Sequence, residues 1–179
     1  MKTADQWWED VVKDDSLFND WLLKQYHGEL TAAIRIRKMA KDYELTPLQR
    51  TVIHRIASDE SRHARWVRDI LLSRGVNPKD NYGTNRYWSQ TLDIDKLDTG
   101  GYSFEDLCAI AYHAEDMRLN RIVVLMEQTG HPDIAEIFSR IYLDEIFHAN
   151  AFRDMSTPEA LARYKEKHEL GKKAIGLVA

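Results

Sequence analysis

Four glutamates stand where a helical protein wants leucine. Glu29 lies seven residues after Leu22, three after Tyr26 and seven before Ile36, so it occupies the apolar stripe of its helix and not the wet side. Glu60 follows Ile53 and Ile56 at core spacing, Glu115 follows Cys108 and Ala111, and Glu145 follows Phe138 and Ile141 in the same register. An ionised carboxylate in an apolar interior is very costly unless it is paired or bound to a cation. A chain that repeats this on four separate segments must fold so that the carboxylates meet compensating charge.

Two of the four carry a companion. Asp59-Glu60-Ser61-Arg62-His63 and Asp144-Glu145-Ile146-Phe147-His148 each hold a Glu and a His three residues apart. On a helix both side chains leave the same face one turn apart and can close on one metal ion. The other two glutamates also repeat their surroundings, Tyr26-His27-Gly28-Glu29 against Tyr112-His113-Ala114-Glu115. The separation of Glu29 from Glu60 matches that of Glu115 from Glu145 to within one residue, so the chain reads as two copies of one unit related by a pseudo-twofold.

The intervening residues support helices throughout. Glycine and proline number only 8 and 4 in 179 residues, and alternating apolar stretches are few, which points to an all-α protein. Residues 4–13 read as a short amphipathic lead-in that packs through Trp7, Trp8, Val11 and Val12. Ser16 reads as the N-cap of a first long helix to about Tyr43, with Leu17, Trp21, Leu22, Tyr26, Ala33, Ile36 and Met39 on its apolar face. Thr46-Pro47 opens a second, which runs to Ser73 before Gly75. Residues 76–102 form a crossover rich in turn residues and aromatics. Ser103 and Asp106 resemble a capping box for a third helix reaching Thr129, Gly130-His131-Pro132 opens a fourth reaching Ser156, and Thr157-Pro158 starts a fifth over 158–170. Long helices of roughly 24–27 residues, about 36–40 Å, have the proportions of a four-helix bundle. The crossover could extend about 90 Å, enough to return along such a bundle and set the third helix parallel to the second. The expected organisation is one domain over 1–179, with a bundle core at 16–156.

The order Glu29, Glu60 with His63, Glu115, Glu145 with His148 resembles the ferritin-like di-iron carboxylate superfamily. The resemblance implies a ferritin-like four-helix bundle holding two iron ions, or a mixed Mn/Fe or Mn/Mn pair, with Glu60 and Glu145 bridging and Glu29 and Glu115 terminal. It also implies that Asp144 pairs with His63 and Asp59 with His148, fixing the imidazole tautomers. Tyr26 and Tyr112, one turn before Glu29 and Glu115, are candidates to hydrogen-bond those carboxylates. Arg118, one turn after Glu115, is a candidate to neutralise a buried carboxylate or to orient an anionic substrate. His27 and His113 lie about 200° round the helix from their glutamates and should miss the metal. Cys108 reads as a small core residue.

Among the relatives, rubrerythrin-like peroxidases carry a further glutamate one turn from the third-helix ligand and usually a CxxC module. Here Tyr112 and Arg118 hold those turns and Cys108 is the single cysteine. Bacterioferritins place a methionine after the first ExxH glutamate, where Ser61 stands, and arylamine oxygenases add a histidine at the position of Ile141. The DESRH string and the long crossover are similar to the oxidase and oxygenase members. The implied function is an oxidoreductase that activates O2 or peroxide to oxidise a small or apolar organic substrate, served by an electron donor. The alternatives are a ferroxidase and a rubrerythrin-like peroxide scavenger. A net charge of −4 argues against a nucleic-acid or anionic-membrane partner. The absence of an apolar run of membrane-spanning length gives the expectation of a cytoplasmic protein. Trp7, Trp8 and the crossover aromatics are candidates for a homodimer surface.

Overall fold

The computed structural model describes residues 2–79, 86–93, 96–97 and 100–177. Among these residues it is all-helical, with seven α-helices in the order α1 Ala4–Val11, α2 Asp15–Asp42, α3 Pro47–Ser73, α4 Arg86–Thr91, α5 Phe104–Gln128, α6 Pro132–Asp154 and α7 Pro158–Ala174. Among the described residues the one β contact is an isolated bridge between Lys2 and Leu177. No described helix is long and apolar enough to cross a membrane. The chain divides into two compact units, one of Glu9–Gly83 and Thr129–Ile137, the other of Met1–Trp8, Thr84–Gln128 and Phe138–Ala179.

The first unit is built on the α2–α3 hairpin. Asp14 caps α2, its carboxylate accepting from the Leu17 N–H at 2.7 Å. The cap therefore lies two residues before Ser16, and Leu17 turns outward while Phe18 takes the buried position. Thr46 begins α3 with a full capping box, its side chain and that of Gln49 each satisfying the other's backbone N–H, and Pro47 supplies the preset φ of the first turn. Gly75, at φ +75°, ends the helix in the left-handed region that glycine enters freely. Contacts at both ends make the pair antiparallel. Arg50, early in α3, donates to the Ala40 carbonyl late in α2 at 2.5 Å, while Arg74 past the end of α3 reaches Asn19 at 2.5 Å and Asp15 at 2.6 Å. Arg74 also lies over the ring of Phe18, which stacks with Trp21 and His131.

In the second unit Ser156, just past α6, donates to the Glu105 carbonyl at the start of α5, so these helices also run in opposite directions. Ser103 caps α5, its hydroxyl accepting from the Asp106 N–H at 3.1 Å. Helix α7 packs on α5 through Arg163 to Asp106 at 3.0 Å and His113 to the Leu161 carbonyl at 2.9 Å. It runs to Ala174, one turn beyond the expected end, through Gly171. The crossover is more than surface covering, for it forms α4 and buries Tyr87 and Tyr102; its residues 80–85, 94–95 and 98–99 lie outside the described residues. On α1, Trp8 and Val11 are buried and Val12 is 44% exposed.

Candidate metal centre

Helix periodicity places the site residues. On α3 the buried stripe reads Ile53, Ile56, Glu60, His63, Val67, and on α6 it reads Phe138, Ile141, Glu145, His148, Phe152. All are at 0% exposure, and both stripes step by three and four residues in the same order. A carboxylate and an imidazole thus occupy the centre of each stripe, flanked above and below by aliphatic or aromatic side chains.

In the first unit, Glu29 from α2 joins Glu60 and His63 from α3. Each is at 0% exposure, and each offers a ligand atom within 4.8 Å of the others'. His63 Nδ1 stands 3.6 Å from a Glu29 oxygen. The chemistry of these donors fits a hard divalent cation such as iron or manganese. Two carboxyl groups and one imidazole lie fully buried, and a cation among them would offset the cost of burying charge there. Beside them, Asp59 holds Arg62 at 2.7 Å and Arg55 at 3.7 Å, while Arg62 lies over Trp66, whose ring stacks with His63.

In the second unit, Glu115 from α5 joins Glu145 and His148 from α6. His148 Nδ1 is 3.1 Å from Glu145 Oε2. Arg118 spans both carboxylates, donating from Nη1 to Glu145 Oε1 at 2.8 Å and placing Nε 3.5 Å from Glu115 Oε2. Burial pushes the Glu115 carboxyl up to about 8, with the Glu145 charge adding to the rise and Arg118 and His148 opposing it. Arg118 thus lies against both buried carboxyl groups. The corresponding position after Glu29 is Ala32.

Around these residues, Tyr26 is buried with its ring edge-on to His27, and Tyr112 is half-buried against His113. The His113 Nε2–H donates to a backbone carbonyl, consistent with its position away from Glu115. Asp144 is half-buried on α6 beside Glu145. Cys108 is fully buried and its thiol is pushed up by that burial, the behaviour of a core residue. A groove of about 420 Å3 opens between α5 and α7, with Tyr112, His113, Asp116, Lys165, His168 and Lys172 on its walls. Sequence patterns gave no notice of the pairing of Tyr87 with His168, which lines the groove; the one local signal is Gly171 inside a helix.

A family model described as Rubrerythrin matches residues 20–156. No curated protein and no solved structure matches the chain. The tyrosine and arginine around Glu115 therefore do not separate the chain from rubrerythrins at the level of family, as the motif comparison had implied. They are departures within it. The match covers α3, α5 and most of α2, ends just past α6, and takes in all four glutamates and both ExxH histidines. The all-helical architecture and the buried Glu/His cluster agree with it, and the chain belongs to the rubrerythrin family of the ferritin-like di-iron superfamily.

Proposed function

We propose that Glu29, Glu60, His63, Glu115, Glu145 and His148 act as one ligand set for two metal ions, and that the protein is a non-haem di-iron oxidoreductase consuming O2 or hydrogen peroxide. The observation that carries this reading is the repetition of one buried carboxylate–imidazole stripe on α3 and α6, each with a further buried glutamate from the neighbouring helix. Chance burial of one such set would be a costly accident; two in the same register call for a common purpose. On this reading the chain works as a single ferritin-like domain.

Iron ions held by these residues would supply one-electron redox chemistry toward O2 or peroxide. The chain's own residues set the terms. His63 and His148 bring imidazole donors. Arg118 holds Glu145 in place by its hydrogen bond and balances Glu115, limiting the charge that the second half presents to an ion. Asp59, Asp144, Tyr26 and Tyr112 are the neighbours proposed to orient the ligands. The oxidised substrate is a small organic molecule, with an electron donor completing the cycle. The family match favours a second reading, peroxide reduction of the rubrerythrin type, at the same centre.

The test is anaerobic Fe(II) loading followed by separate mixing with O2 and with hydrogen peroxide, recorded optically. The expected result is about two ions per chain and an optical change on oxidation. Loading of far less than that, or a Glu115→Ala variant that loads as well as the parent, overturns the ligand assignment. A response to peroxide alone selects the peroxidase reading, and assembly into a large iron-filled shell would select iron storage.

A further inference from the structure

Outside the metal ligands, the most completely built polar arrangement is on α4 and α7. Tyr87 is 2% exposed, and its hydroxyl lies 2.8 Å from Nδ1 of His168, itself 5% exposed. The placement of the ring is enforced. Gly171, one turn after His168, leaves room that a Cβ would fill at 2.7 Å from Tyr87 Cδ2 and 2.8 Å from Cε2. Glycine inside a helix costs stability relative to alanine, so its presence here marks a close approach. Ring contacts continue on both sides. Half-buried Trp88 packs edge-on to Tyr87 at 5.0 Å, His113 stacks with His168 at 5.2 Å, and Tyr112 lies 5.1 Å from His113. This run of rings leads from a partly exposed indole to the turn of α5 that precedes Glu115.

The protonation states follow from the surroundings. Burial lowers His168 to about 4, with His113 and Lys172 adding to the fall and Glu169 opposing it. Its imidazole is neutral near neutral pH. Burial pushes the Tyr87 phenol upward; of the charged groups facing it, Arg121 opposes the rise while Glu115 and Glu169 add to it. The phenol keeps its proton, and with the imidazole protonated at Nε2 it donates that proton to Nδ1. His113 donates Nε2–H to Leu161, which fixes the neighbouring ring.

We propose that Tyr87 and His168 form a redox-active pair, in which one-electron oxidation of the phenol is coupled to transfer of its proton to the imidazole. One electron leaves Tyr87 for the oxidant, the O–H bond breaks, and the proton crosses the hydrogen bond to Nδ1. The products are a neutral phenoxyl and an imidazolium beside the groove, near Glu169. An electron from a reductant and return of the proton restore the phenol. A phenol without such a base is far harder to oxidise, because the cation it would form is strongly acidic. In the protein's cycle the oxidant is the proposed metal centre after reaction with O2 or peroxide, and to that extent the proposal rests on the reading above.

The experiment uses metal-free, full-length protein and flash-generated tris(bipyridine)ruthenium(III), so the pair and the metal assignment fail separately. A fast phase of phenoxyl formation is expected, seen optically and by electron paramagnetic resonance, with a rate flat across about pH 5–8 because the acceptor is His168 and not water. Tyr87→Phe should abolish that phase, and His168→Gln should slow it by about a hundredfold. Retention of the phase in Tyr87→Phe, or undiminished speed in His168→Gln, overturns the proposal. If either variant fails to fold, high-field resonance of the parent radical in H2O and D2O decides. An exchangeable hydrogen bond on the phenoxyl oxygen is expected, and its absence overturns the pair.

Discussion

Arg118 shows how one residue sets the electrostatics of its surroundings. Its guanidinium spans Glu115 and Glu145, which in metal-free protein would otherwise be two carboxylates close together at 4% and 0% exposure. Arg118→Ala should destabilise the metal-free protein by about 3 kcal/mol, the cost of breaking a buried ion pair. Added metal should narrow the deficit, because an ion bound to the folded state supplies the missing positive charge; thermal melts with and without Fe(II) or Mn(II) test this. His168 gives a pH signature of opposite origin. Its folded value near 4 lies below the ordinary 6.5, so the unfolded chain binds more protons between those values. The stability it confers is complete above about pH 6.5 and is lost as pH falls toward 4, by about 2 kcal/mol after discounting for the solvent that reaches the groove. Urea titrations across that window should show the loss in the parent and a shallower one in His168→Gln.

Helices are where most of this fold was legible in the chain. Thr46-Pro47 marks the start of α3 because its capping chemistry is local: Thr46→Ala should lower stability by about 1 kcal/mol in a denaturant titration, with no change in metal loading. The start of α2 was read at Ser16 and lies at Asp14, because it is the Asp14 carboxylate that reaches the Leu17 N–H. The four buried glutamates stand out in sequence because they violate an apolar periodicity. Tyr87 and His168 violate nothing; six residues of α4 are too few to show a period, and their partnership joins segments far apart in the chain. Helix α7 continues past its expected end at residue 170, and Gly171 within it admits a ring. Gly171→Ala would gain roughly 1 kcal/mol of helix propensity. The new methyl meets a ring that is tethered at its hydroxyl, and overpacking costs about 1–3 kcal/mol. A net fall in melting temperature is expected, with loss of the Tyr87 to His168 hydrogen bond.

For the molecule as a whole, the two Glu/ExxH units are alike in register and unlike in charge. Equal half sets would take up metal as equals. With Ala32 in one and Arg118 in the other, a metal titration should show two steps, the tighter assigned to the half containing His63, and Arg118→Ala should draw them together. Calorimetric titration with Mn(II), which avoids oxidation, measures both steps. One merged step in the parent would remove the distinction. The wider consequence of Arg118 is historical. A duplicated unit starts with interchangeable halves, and nothing in such a twin can tell a first ion from a second. On the proposed two-ion reading, a single guanidinium on one copy ends that interchangeability and gives the pair a junior and a senior member.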